Sequence, residues 1–381
     1  MAHKHFANHL SDDALPDLKI AYSKLISALQ DTLVVLEQGL QKGRGVSGST
    51  VYVGLAGIAL TYFRLYECCK RLKHADSPGH VKSSSLAGED HAEVYLQRAA
   101  AVINAAGTSP SLQELGPAVL QMPPGECELL YGRSGYLYAL LFTQKYLGSS
   151  AIRTDLVKAV VQQILDEGRR GARRVKNTPL MWAWHSKYYL GAAHGVSRIL
   201  HTLLLACKMY DPAELYPGLD VPKLIEQSTV ALAASLQGNN GNLPSTWGYE
   251  DDRLVQWCHG APGFLPLVAK VYAQHPQELL ATATQRAADV TWTRGLLVKG
   301  VGLCHGISGN AYSLLSAYRS AGDERYFNRA VQFGASMADH WRELLNVPER
   351  PLSLYEGLGG AICFWADVMV PARSTFPGYE L

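Results

Sequence analysis

Apolar residues recur at helical spacing along most of the chain. Over Leu18–Leu40 they fall at Leu18, Tyr22, Leu25, Ile26, Leu29, Leu33 and Leu36, the stripe of an amphipathic helix. Segments 156–170 and 223–236 follow the same rule, whereas the alternation of a half-buried strand is scarce. Other segments are apolar all round and open on a Gly-x-x-Gly turn. They begin at Gly54/Gly57 (YVGLAGIALTYF), Gly132/Gly135 (LLYGRSGYLYALLF), Gly260/Gly263, Gly306/Gly309 and Gly357/Gly360 (SLYEGLGGAICF). A variant, YLGAAHGVSRIL, reads with Ala192 in the first Gly position and Gly195 in the second. On that register the first positions lie 78, 60, 68, 46 and 51 residues apart, room for two helices and two loops each.

This alternation predicts an all-α fold, an α/α barrel or toroid with amphipathic helices outside and apolar ones inside. A linear solenoid is the alternative. Glycine at each inner helix start implies a crowded centre that needs close backbone approach and freedom in φ. The inner N-termini then gather backbone N–H groups and positive dipole ends at one mouth, where chemistry is expected. A single barrel domain spans 1–381. Two segments break the rhythm and read as loops: 74–90, rich in Ser, Gly and Pro, and the Pro-rich 107–126.

Composition narrows the class. At 48% hydrophobic and 18% charged, the chain suits a protein with a large core, and a net charge of +2 gives no general field for nucleic acid. The polar start, MAHKHFANHLSDDALPD, has no secretory apolar region, and the runs at 51–60 and 199–207 are too short to span a bilayer. A cytoplasmic protein is expected, with peripheral membrane association left open. Seven cysteines, odd in number and irregular in spacing, point to free thiols or metal ligands rather than a disulfide framework.

Candidate chemistry sits at the Gly turns. Cys-His-Gly occurs twice, at 258–260 and 304–306. Cys258, Cys304 and one histidine make a three-ligand zinc set with an open fourth position. Spacing does not choose between His259 and His305, and the plain alternative is small residues at crowded repeat starts. His194, in AAHG, is an acid/base candidate or a structural histidine. Glu128 precedes the LLYGRSG turn, where Tyr131 and Arg133 can shape the mouth. Lys299, five residues before Cys304, is either a carboxylate or phosphate holder or a solvated surface lysine. The basic run GRRGARRVKN (168–177) reads as a solvated helix face or a docking patch for acidic or phosphorylated partners. Trp182, Trp184 and Trp247, near Tyr188, Tyr189 and Tyr249, pack the core or line a peptide groove.

The motifs WCHGAPG, GLCHGISGNAY, ELLYGRSGYLY, YYLGAAHG and SLYEGLGG together resemble the eukaryotic LanC-like proteins, relatives of the bacterial lanthionine cyclase component LanC. HGISGNAY and the terminal FPGYEL are most similar to plant members. The resemblance implies an α/α barrel and one zinc held by Cys258, Cys304 and His305, with His259 not a ligand. It also implies His194 as a catalytic residue, Glu128 in the slot of a catalytic aspartate of bacterial relatives, and Lys299 as a glutathione-linked lysine. The implied activity is glutathione S-transferase-like: addition of glutathione to dehydroalanine or dehydrobutyrine in proteins. Partners would be glutathione and dehydrated, formerly phosphorylated proteins, kinases among them. The chain departs from the family in three ways. The 107–126 region lacks a Gly turn, so one inner helix of the usual seven is missing. Lys4 stands where relatives carry Arg. NVPERPLSLYEG replaces an Arg-containing glutathione loop of animal members, with Arg350 expected to substitute for its arginine at a shifted position. The missing repeat motivates the rival reading of a non-enzymatic glutathione- or zinc-binding adaptor. A hormone-sensing receptor lacks a membrane-length span, and a carbohydrate-processing toroid would need paired carboxylates at the mouth.

Overall fold

The computed structural model describes residues 5–12, 16–72, 89–107, 110–236, 240–249 and 252–381. Among them are fourteen helices and no strand, only isolated bridges. The helices are α1 (Leu18–Gln41), α2 (Leu55–Leu72), α3 (Glu89–Ala105), α4 (Leu112–Leu120), α5 (Arg133–Leu147), α6 (Thr154–Ala172) and α7 (Val196–Met209). They continue with α8 (Pro212–Leu215), α9 (Val221–Ser235), α10 (Ala261–Gln274), α11 (Glu278–Arg294), α12 (Ile307–Ala321), α13 (Glu324–Leu344) and α14 (Leu358–Val368). The chain forms two compact units, Met1–Thr108 with Trp292–Gly378, and Ser109–Thr291 with Tyr379–Leu381.

In the first unit α14 packs against α1, α2 and α12. All of α14 is buried, and α12 is buried from Ile307 to Ala317, as expected of helices enclosed on every side. α13 is one-sided, burying Phe327, Val331, Phe333, Met337 and Trp341. A buried polar knot ties this unit together. The Arg64 guanidinium of α2 donates to both carboxylate oxygens of Asp367 on α14, each at 2.8 Å, and Tyr312 of α12 donates to the same carboxylate at 2.7 Å.

In the second unit α7 packs against α5, α9 and α10, and α6 lies on α5. α6 buries Val157, Val160, Val161, Ile164 and Leu165 and turns its charged face outward. Tyr379 docks here: its hydroxyl donates to Gly263 O at 3.2 Å and its ring stacks on His201 at 4.4 Å.

Two sequence expectations are corrected. The 107–126 segment is not a plain loop, because Leu112–Leu120 is helical. Ser111 and Glu114 form a capping box, and the helix continues through Pro117. Most of 74–90 lies outside the described residues, and Glu89 and Asp90 already belong to α3.

The second correction concerns register. Gly195 is the N-cap of α7, as Gly132, Gly260, Gly306 and Gly357 are for α5, α10, α12 and α14. Gly195 therefore holds the first position of its turn, and the second is Arg198. That guanidinium sits between the Tyr138 and Tyr379 rings and donates to Tyr379 O at 2.6 Å. In this alignment His194, His259 and His305 become equivalent.

Candidate active-site loops

Five of the six inner helices start from the same backbone loop, and at α10 the Ala261 N–H donates instead to Asn242 Oδ1 at 2.8 Å. The first helical N–H donates to the carbonyl seven residues earlier: Leu55 to Gly48, Arg133 to Glu126, Val196 to Tyr189, Ile307 to Gly300, Leu358 to Pro351. The loop thus closes on the helix it begins and satisfies N–H groups that a helix terminus normally leaves open. This revises the expected mouth, because these first N–H groups point into their own loops. The closure also explains the second glycine. A Cβ at Gly57, Gly135, Gly263, Gly309 or Gly360 would lie 1.9–2.6 Å from the carbonyl oxygen six residues earlier. The capping glycines are needed for the same closeness rather than for φ. Gly132, Gly195 and Gly306 have extended φ near −110°, and among the caps of α5, α7, α10, α12 and α14 only Gly260 has positive φ.

So tight a loop leaves one side chain for solvent. Across 191–200 that residue is His194, across 301–310 it is His305, and across 352–360 it is Glu356; all other residues in these stretches are buried. His259 is the corresponding residue of 255–260. In these four loops the residue before the N-cap is therefore the one presented.

In the second unit this places His194 against Glu128. Its Nδ1 lies 2.8 Å from Glu128 Oε2, with the histidine side chain 18% exposed and the carboxylate 1%. Glu128 also accepts from the Leu130 N–H at 2.7 Å and from the Tyr131 N–H. A carboxylate so engaged accepts a hydrogen bond from the Nδ1–H of a neutral imidazole, which leaves Nε2 for chemistry. Trp184 stacks on the His194 ring, centroids 4.1 Å apart and planes within 9°. It is held by a tight hairpin in which Trp184 and Lys187 exchange backbone hydrogen bonds, and the two turn residues, His185 and Ser186, both have positive φ. Two non-glycine residues in that region carry strain, as binding loops often do. The indole Nε1 is buried with no hydrogen-bond partner among the described residues. Tyr189 flanks both His194 and His259. Cys258 lies in the turn between Gln256 and His259, and its Sγ accepts from Gln256 Nε2 at 3.1 Å.

In the first unit, the Cys304 N–H donates to Tyr355 O at 2.8 Å, and Tyr355 stacks on Tyr52. His5 pairs with Leu297, two residues before the half-buried Lys299. Arg350 is half-buried and donates to the Glu349 carbonyl. Lys4 lies outside the described residues.

Arg133 is corrected from a substrate-binding candidate to a structural residue. It is 3% exposed, and its guanidinium donates to Gln163 Oε1 and to the carbonyls of Met122, Pro123 and Glu126. The loop before α5 is folded around it.

Four other thiols are poor ligands. Burial pushes the Cys127, Cys207 and Cys363 thiols up to about 12, and Cys68 well above its ordinary value. Cys258, Cys304 and His305 are a donor set that could hold a metal ion. Two sulfurs and one imidazole nitrogen suit zinc, and the Gln256 amide supports the Cys258 sulfur from behind.

An all-α chain with Gly-capped inner helices and a Cys, Cys, His donor set defines a class, and the comparisons name it. Residues 45–381 match the family model of the lanthionine synthetase C-like proteins, and the chain belongs to that family. It is 31% identical over 378 residues to a zebrafish (Danio rerio) protein named glutathione S-transferase LANCL1, covering 94% of this chain and 91% of the relative. It is 39% identical over 260 residues to the LanC-like protein GCL1 of Arabidopsis thaliana, covering 67% of this chain and 58% of that one. Among solved structures it matches nisin cyclase with a TM-score of 0.51 at 14% identity, over 96% of this chain and 88% of the other. That likeness bears out the α/α barrel class read from the sequence. Among the described residues no helix is long and apolar enough to cross a membrane.

Proposed function

We propose that the protein adds the thiol of glutathione to dehydroalanine or dehydrobutyrine residues of proteins or peptides. The observation that carries this reading is the Glu128–His194 pair, presented at the same loop position as His305, in a chain similar to a protein named glutathione S-transferase. A sulfur–carbon bond forms at the β-carbon of the dehydro residue, the double bond is consumed, and a proton ends on the α-carbon. Cys258, Cys304 and His305 would hold zinc, which when bound lowers the proton affinity of a thiol and fixes it as a nucleophile.

The chain's own residues manage the proton. His194 Nε2 relays it from the thiol to the α-carbon, with Glu128 fixing the imidazole tautomer and stabilising the cation formed in passing. Trp184 holds the ring in its plane and shields one face from water. Lys299, Lys4 and Arg350 are the cations assigned to glutathione carboxylates; Arg133 is not among them. The reaction belongs in a reducing compartment, the cytoplasm, where glutathione and free thiols persist.

The test is a purified-protein assay with a dehydroalanine peptide and glutathione, read by mass spectrometry, alongside metal analysis. The expected result is one zinc per chain and an adduct that disappears in His194→Ala and Cys304→Ala. Absence of zinc, or of adduct at stoichiometric enzyme, overturns the reading. The binding-only adaptor is favoured by one observation: six Gly-capped inner helices are seen among the described residues, against the seven that the family resemblance implies. Glutathione binding by calorimetry without turnover would establish it.

A further inference from the structure

Five cations crowd into eight residues at the end of α6: Arg169, Arg170, Arg173, Arg174 and Lys176. All five are exposed, with no acidic residue between them. Arg169 and Arg170 have local explanations. They lie in the last turn of α6, where cations oppose the helix dipole, and Arg170 pairs with Glu167 at 2.5 Å while Arg169 neighbours Tyr216. Arg173, Arg174 and Lys176 have no such role. They lie beyond the helix, and among the described residues no carboxylate pairs with any of them.

Their backbone is nonetheless built. The Arg173, Arg174 and Val175 N–H groups donate to Arg170 O, Gly171 O and Ala172 O, and Asn177 turns the chain with φ at 67°. The returning segment is clamped on the helix: Met181 N donates to Gly168 O, Trp182 Nε1 donates to Ile164 O at 2.8 Å, and the Trp182 ring leaves no room for a Cβ at Gly168. Two residues further on is Trp184, stacked on His194. The cations thus sit on an ordered turn fixed to the segment that carries the cover of the candidate site, and exposed Lys187 extends the same charge through the hairpin.

We infer that this turn is a docking surface for a carboxylate-rich segment of the protein substrate, flanking the residue that enters the site. Four of the five cations are arginines, whose planar forks suit carboxylates. An anionic membrane is the less favoured occupant. No large apolar side chain is exposed on α6 or the turn after it, and basic surfaces that hold membranes generally add apolar insertion. The inference deepens the proposed function by naming the substrate class, and it rests on that reading only for its link to turnover.

The experiment uses the full chain and Arg173→Gln/Arg174→Gln/Lys176→Gln. Fluorescence polarisation with a labelled, unreactive Glu-rich peptide measures docking without catalysis. Glutathione addition to dehydroalanine peptides with acidic or neutral flanks measures its consequence. The parent should bind the Glu-rich peptide, more weakly as salt rises. The triple variant should lose about tenfold in affinity, since three rim charges each contribute about a factor of two. Its KM for the acidic substrate should rise by a similar factor, with the neutral substrate unchanged. Equal binding by parent and variant overturns the inference. So does loss of sedimentation with phosphatidylserine vesicles in the variant while peptide affinity holds. If neither peptide is turned over by the parent, the proposed function fails, and the polarisation result still decides the docking surface.

Discussion

Gly309→Ala tests the loop geometry most directly. The new Cβ would lie 1.9 Å from Leu303 O, 2.8 Å from Leu303 C and 3.3 Å from Leu303 Cα, all backbone atoms. A carbon–oxygen contact of roughly 3.3 Å requires the carbonyl to move by more than 1 Å. The loop cannot absorb this freely, because Ile307 and Gly309 donate back to Gly300 and Gly302. Overpacking of a fixed core costs about 1–3 kcal/mol, and each weakened loop hydrogen bond adds about 1 kcal/mol. Replacing a helical glycine by alanine returns roughly 1 kcal/mol. The net is about 2–4 kcal/mol of destabilisation, which for a unit of this size lowers the melting temperature by about 5–15 °C. Leu303 precedes Cys304, so metal occupancy should fall as well. The control is Gly322→Asn at the other end of α12, where φ is 69° and a Cβ would meet nothing within 4 Å. It should melt within about 1 °C of the parent. Melting followed by circular dichroism, with metal analysis of the same samples, reads both outcomes. If Gly309→Ala melts with the control, the second glycine is not set by the carbonyl six residues before it.

Glu128→Gln should lower kcat by about a hundredfold with little change in KM, because an amide cannot accept from Leu130, Tyr131 and His194 together; unchanged kcat refutes the Glu–His pair. Arg133→Met should cost about 3 kcal/mol in stability by stranding the carbonyls of residues 122–126; a variant with parental melting but weak glutathione binding would return Arg133 to the substrate. Cys127 and Cys363, pushed up to about 12 by burial, should resist iodoacetamide in the native protein at neutral pH and react once it is denatured, as peptide mass mapping can show. Hydrogen bonding from Arg329 holds the Asp12 carboxyl below its ordinary value. The pair's stabilisation is therefore fully present above the unfolded value near pH 4 and lost as pH falls through the lower folded value. Asp12→Asn should lower the melting temperature at pH 7 and have a smaller effect at about pH 2; an equal effect at both refutes the linkage.

The helical class and the Gly-started inner helices are readable in the sequence because apolar periodicity and glycine spacing are local signals. α4 is equally local: Ser111 and Glu114 are a capping box, obscured by the surrounding prolines. Other features depend on contacts that no local pattern carries. Arg133 reads as a free cation at the mouth, yet its partners are carbonyls 7–11 residues back in the same chain. Glu128 and His194 are legible one at a time, but their pairing spans 66 residues. Trp184 gives the least warning, since stacking on His194 depends on a hairpin whose turn residues, His185 and Ser186, are not the Asn-Gly pair that usually marks one.

The register of α7 shows why spacing alone misleads. Ala192 and Gly195 are three apart, as the other glycine pairs are, and the match places His194 inside its turn. Hydrogen bonding places it elsewhere: Val196 donates to Tyr189 O, seven residues back, so Gly195 caps the helix and His194 precedes the cap. Ala193-His194-Gly195 and Cys304-His305-Gly306 are then two copies of one loop, and Cys258-His259-Gly260 repeats the residue order in a loop that Asn242 closes. The loop fixes which side chain reaches solvent, and its sequence sets the chemistry. Cysteine before the histidine adds a candidate metal donor at two loops. Alanine at the third removes that option and leaves an imidazole whose partner is Glu128 rather than a thiol in its own turn. The candidate Cys, Cys, His donors and the candidate acid/base histidine thus lie at or beside the position before a capping glycine.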